Sequence, residues 1–134
     1  MNELKYISGD LVYIHGSLRI INNCDGYYAT YYDENETLQE INVNEIEGIP
    51  LTKEIIEKNG WKLHKYHKRD SHDTVPWSSY HKPAETNISL RFYPEEKAFF
   101  LFLYAQEISE TPIKYVHQFQ HILWALDNNV NFKI

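Results

Sequence analysis

The stretch Ala98-Phe99-Phe100-Leu101-Phe102-Leu103-Tyr104-Ala105 decides the fold. It is apolar throughout and rich in aromatic rings, yet far too short to span a bilayer. That combination predicts a strand buried on both faces. Upstream, Asn87 to Tyr93 is a second strand-like run, and Pro94-Glu95-Glu96-Lys97 supplies the turn of a hairpin. Downstream of Pro112, the residues Val116, Phe119, Leu123 and Leu126 fall at i, i+3, i+7 and i+10. This stripe predicts a helix from about Ile113 to Asp127, packed on the 98–104 strand. Val130, Phe132 and Ile134 then alternate as a terminal strand.

The first half reads as short strands. Asp10 to Gly16 alternates and ends in glycine, Leu18 to Ile21 follows a tight turn, and Gly26 to Tyr32 is rich in Tyr and Thr. The turn Asp33-Glu34-Asn35-Glu36 leads into the alternating run Leu38 to Val43. Short strands at this spacing predict a small antiparallel barrel or curled sheet over residues 1–50. Thr52 is a good N-cap, Glu54 suits the positive end of a helix dipole, and Gly60 suits the C′ position. A short helix is therefore expected within residues 51–60. Residues 61–86 show no period and are read as a long loop, before the hairpin, helix and terminal strand of 87–134. With no repeat and no linker, 1–134 reads as one α+β domain.

Composition narrows the function classes. The chain has 134 residues, 43% hydrophobic and 24% charged, which are globular values. Its single cysteine, Cys24, cannot form an intramolecular disulfide, and Met1 to Asp10 has no apolar signal core. Both point to the cytoplasm. The aromatic share of 15%, with eleven Tyr and three Trp, exceeds the needs of a core this size and predicts rings at a surface or groove. The net charge of −6 argues against non-specific DNA binding. It is uneven: residues 1–50 carry nine acids against Lys5 and Arg19, whereas residues 51–83 carry seven bases against four acids and four of the seven histidines.

Candidate chemistry is sparse. His117 and His121 are four apart on one helix face, a zinc-compatible spacing, but Gln118 stands where a metalloprotease needs Glu. His64, His67, Asp70, His72 and Asp73 supply ligand types without the spacing of a standard site. No metal or cofactor is expected on these grounds. Cys24 lies next to Asp25, which disfavours a thiolate, and Glu95-Glu96 sits in a solvated turn. There is no nucleophile elbow, P-loop or dinucleotide fingerprint, so the pattern leans away from an enzyme. The richest constellation is basic and aromatic. Lys58, Lys62, Lys65, Lys68, Arg69 and Lys82 interleave with Trp61, Tyr66, Trp77 and Tyr80. Cations beside flat rings suit a phosphate that carries a base. Trp61, Lys62, His64, Lys65, Tyr66, His67, Lys68, Arg69, Trp77 and Tyr80 are the expected ligand or partner contacts.

Two segments carry a resemblance. Gly48 to Trp61 (GIPLTKEIIEKNGW) and Tyr115 to Leu126 (YVHQFQHILWAL), with Gly9-Asp10-Leu11-Val12 near the start, resemble small uncharacterised proteins of Bacteroidetes phages and prophages. Those proteins share a PIPLT-helix-G motif and a YVHQLQNLYFALTG-like motif. His121 departs from the Asn of that pattern, so a shared metal role for the helix is disfavoured, and Asp127-Asn128-Asn129 departs from its Thr-Gly. The resemblance implies a phage or prophage origin and no particular activity. The expectation is a non-enzymatic accessory protein that binds a host factor or a small phosphate-bearing ligand. The alternatives are a nucleotide-binding protein or hydrolase using residues 61–82, and a structural virion component, for which a homo-oligomer is compatible.

Overall fold

The computed structural model describes residues 5–67, 76–82, 85–104, 106–109, 111–126 and 133–134, without the side chains of 65–67 and 85–86. The described residues form two compact units. One comprises residues 1–50 with 115–130, and the other 51–114 with 131–134.

The first unit begins with strands β1 (Leu11–Ile14) and β2 (Ser17–Ile20), paired as an antiparallel hairpin. Its two-residue turn needs positive φ twice, and His15 (φ 50) and Gly16 (φ 80) provide it. Strands β3 (Asn23–Cys24), β4 (Tyr28–Tyr32) and β5 (Leu38–Asn42) form a second antiparallel sheet. A 3-10 turn at Val43–Glu45 leads to β6 (Ile46–Gly48), which returns to pair with β1. The expected barrel is therefore corrected: these strands make two open three-stranded sheets, ordered β2-β1-β6 and β3-β4-β5. Alternation along each strand was legible, but closure depends on pairing partners that alternation does not encode. Tyr6, Val12, Ile14, Ile21, Ala29, Ile41 and Ile46 make the core between them.

A ten-residue helix of this unit, Val116–Ala125, lies against β1. It is shorter than expected because Ile113 and Tyr115 are taken by isolated β-bridges, to Phe99 and Pro50 respectively. Val116, Phe119 and Leu123 of the stripe are buried, while Leu126 is half-buried. The helix belongs to the first unit and the 87–105 hairpin to the second. Polar anchors select its partner. The Gln120 Oε1 accepts the Leu11 N–H at 3.1 Å, and its Nε2 donates to the Gly9 carbonyl at 3.4 Å.

The second unit opens with helix α1 (Lys53–Lys58); the helix Val116–Ala125 is α2. The Thr52 hydroxyl caps α1 by accepting the Ile55 N–H at 3.2 Å, and Gly60 (φ 92) follows its end as read from the sequence. Five antiparallel strands follow: β7 (Lys62–His67), β8 (Trp77–Lys82), β9 (Glu85–Tyr93), β10 (Ala98–Leu103) and β11 (Gln106–Glu107). The long loop expected over 61–86 thus contains two strands and the start of a third. Their period is hidden for local reasons. A register shift between Leu63 and Lys65 breaks the alternation of β7, and β8 places Ser78 and Ser79 at buried positions. The hairpin of β9 and β10 and its turn match the sequence reading. Near the C-terminus, Asn59 holds Lys133 from both sides: its Nδ2 donates to the Lys133 carbonyl at 2.8 Å, and its Oδ1 accepts the Lys133 N–H at 2.7 Å. Val130 and Phe132 of the expected terminal strand lie outside the described residues.

Candidate functional site

The five-stranded sheet has two unlike faces. Antiparallel register places Tyr80, Leu90 and Leu101 in one cross-strand row, with Ile88 and Phe99 on the same side. All five are buried. Burial there pushes the Tyr80 phenol above its ordinary pKa, with Glu57 and Glu54 adding to the shift. Strand periodicity sends the intervening residues to the other face: Trp77, Ser79 and His81 from β8, Asn87, Ser89 and Arg91 from β9, Phe100 and Phe102 from β10. The run Asn87-Ile88-Ser89-Leu90-Arg91-Phe92 separates polar from apolar by this alternation.

On that second face lies a cavity of about 530 Å³, lined by His64, Ser79, His81, Asn87, Ser89, Arg91 and Tyr104. Arg91 sits between two rings, its Cζ 4.2 Å from the Trp77 ring centroid and 4.1 Å from that of Phe102. Both rings are its diagonal neighbours on the adjoining strands, a separation that long and aromatic side chains bridge. Ring faces stabilise the cation and restrict the guanidinium plane, while its N–H edges keep their fork geometry. No ion pair joins Arg91 to a carboxylate among the described residues. The His64 and His81 rings meet edge to face, 4.4 Å between centroids. His64 reaches the cavity from the irregular step of β7. The lining thus offers one fixed cation, two imidazoles and two serine hydroxyls. Asn87 adds an amide, and the Tyr104 ring is 76% exposed.

The residues expected as contacts divide into three groups. His64 lines the cavity, Trp77 flanks Arg91, and Lys62 is exposed. Trp61 and Tyr80 are corrected to core residues, 1% and 3% exposed. Trp61 follows the Gly60 turn directly, and burying so large a ring outweighs presenting it to a ligand. The Lys82 Nζ lies over its ring, 5.9 Å from the centroid. Lys68 and Arg69 lie outside the described residues, as do Asp70, His72, Asp73 and the side chains of Lys65, Tyr66 and His67. Lys58 is engaged elsewhere, donating to the Ile134 carbonyl at 2.6 Å. Ser79, Asn87, Ser89, Arg91 and Tyr104 were not among the expected contacts. The polar phase of β9 was the sequence signal for Asn87, Ser89 and Arg91.

A second polar cluster lies in the first unit. The fully buried Asp10 accepts the Ile7 N–H at 2.8 Å, and the Nε2 of His121 lies 2.8 Å and 2.9 Å from its two carboxylate oxygens. One turn earlier His117 is 1% exposed, its ring 4.8 Å from Tyr6 and 5.7 Å from His121. Its Nδ1 has no hydrogen-bond partner among the described residues. Burial lowers its pKa from 6.5 to about 4; His121 and Lys5 push the same way, and Asp10 opposes them. The geometry fastens α2 to the start of β1. Among the described residues no group of three or more His, Cys, Asp or Glu side chains is arranged to hold a metal ion.

No protein-family model, no curated protein and no solved structure matches this chain. Among the described residues no helix is long and apolar enough to cross a membrane.

Proposed function

We propose that this chain is a non-enzymatic accessory binding protein of phage or prophage origin, whose five-stranded sheet holds a small phosphate-bearing ligand. The observation that carries the binding role is Arg91, clamped between Trp77 and Phe102 in a cavity with His64, His81, Ser79 and Ser89. A planar guanidinium presents paired N–H groups that match two phosphate oxygens. Hydroxyls and imidazole N–H groups can complete the shell. Ordering Arg91 before binding reduces the entropy lost when the ligand arrives. The origin rests on the resemblance of residues 48–61 and 115–126, and the localisation that fits it is cytoplasmic.

The test is thermal stabilisation. A ligand that binds only the folded state raises the melting temperature as its concentration exceeds Kd. Inorganic phosphate, sugar phosphates and nucleotides at about ten times a millimolar Kd should stabilise the protein by about 1.4 kcal/mol. Arg91→Gln should abolish the shift while leaving the circular dichroism spectrum unchanged. No shift with any phosphate compound would refute the reading. A hydrolase remains the second reading because the two imidazoles share the cavity. Release of inorganic phosphate from these same compounds, lost in His64→Ala, would favour it over passive binding.

A further inference from the structure

The cavity around Arg91 is larger than one phosphate needs. At about 530 Å³ it falls within the range of sites that take whole small molecules, about 300–1,000 Å³. One lining residue, Tyr104, directly follows β10 and exposes 76% of its surface. A ring this exposed gains little from burial in the protein itself, whereas a planar ligand would cover it. Its backbone is also held in the left-handed region, φ 51, where side chains other than glycine are disfavoured. The Tyr104 N–H donates to the Asn87 carbonyl at 2.8 Å, which fixes that turn and sets two cavity-lining residues side by side. Positive φ here is what the tight turn between the paired Leu103 and Gln106 requires.

We propose, resting on the phosphate-binding reading above, that the ligand is a mononucleotide: its phosphate in the Arg91 fork and its base stacked on Tyr104. The parts match the chemistry. Arg91 and the hydroxyls of Ser79 and Ser89 address the charged end. The Tyr104 ring addresses the flat end, because stacking on an aromatic side chain accepts any base. The Asn87 amide offers both donor and acceptor to a base edge or a ribose hydroxyl. A mononucleotide is favoured over a polynucleotide by charge. The chain carries −6 overall, which opposes the long-range attraction a phosphodiester backbone requires.

The experiment compares inorganic phosphate, adenosine and adenosine 5′-monophosphate by isothermal titration calorimetry on the full chain. The variants are Tyr104→Ala, Tyr104→Phe and Arg91→Gln. Alanine suits the first because it keeps the same left-handed backbone penalty, so a change reports the ring. The wild type should bind the monophosphate at least about tenfold tighter than phosphate, as expected for one stacked base. Tyr104→Ala should lose that advantage and leave phosphate affinity unchanged, and Tyr104→Phe should keep it. Arg91→Gln should lose both phosphate compounds. Equal affinity for phosphate and monophosphate, or a neutral Tyr104→Ala, would overturn the mononucleotide assignment while leaving the anion site standing. Failure of all phosphate compounds to bind would overturn the parent reading as well.

Discussion

Lowering the pH should unfasten α2 through His117, and the size of the effect follows from its surroundings. The imidazole packs against Tyr6 and Tyr115, 1% exposed, with a pKa of about 4 in place of 6.5. Burial comes first among the causes, since charge is costly away from water. The sign is set by which state binds the proton. Between pH 6.5 and 4 the unfolded chain protonates this side chain and the folded chain does not, so folding stability falls as pH falls. Above 6.5 the contribution is complete; below 4 it is gone. Each pKa unit corresponds to about 1.4 kcal/mol, so the full loss is about 3 kcal/mol, most of it by pH 4.5. The assay is urea unfolding, followed by circular dichroism at pH 7.5, 6.5, 5.5 and 4.5, on the wild type and on His117→Gln. Other groups titrate in both proteins, so the difference between their two slopes isolates this residue. The wild type should lose about 2–3 kcal/mol more than the variant from pH 7.5 to 4.5. Parallel pH profiles would refute the account of a buried, neutral imidazole.

Three further substitutions probe the same unit. Phe119 is fully buried on α2, so Phe119→Ala should cost about 3–5 kcal/mol in a denaturant melt; a loss under about 1 kcal/mol would remove this ring from the core. Gly48→Ala would place a Cβ 2.8 Å from Tyr115 Cδ1 and 3.2 Å from His117 Cε1, so crowding should destabilise by about 1–3 kcal/mol, and an unchanged melting temperature would contradict that close approach. Cys24 is half-buried beside the first core, so Cys24→Ser should keep the fold and the ligand-induced thermal shift; loss of binding would give the thiol a role that its position does not suggest.

The sequence by itself determined the elements whose signal is local. Residues 98–103 of the apolar run became β10, the 87–93 run became most of β9, Thr52 and Gly60 bracket α1, and the stripe from Val116 to Leu123 is the buried side of α2. Each is written within about ten neighbouring residues by periodicity or capping. Where polar residues occupy buried positions on both sides of a strand, as Ser78 and Ser79 do, or a register shift interrupts it, as after Leu63, periodicity vanishes and β7 and β8 read as loop. The tertiary structure decided what depends on distant pairs. Asp10 and His121 meet across 111 positions, and Arg91 meets Trp77 and Phe102 only because three strands align in one register. A cation at 91 looks like any solvated strand residue until that alignment supplies its two rings. The basic segment drew the sequence reading to 61–82, whereas the fixed cation of the cavity comes from the next strand, since cross-strand neighbours are set by hydrogen-bonded register rather than by proximity in the chain.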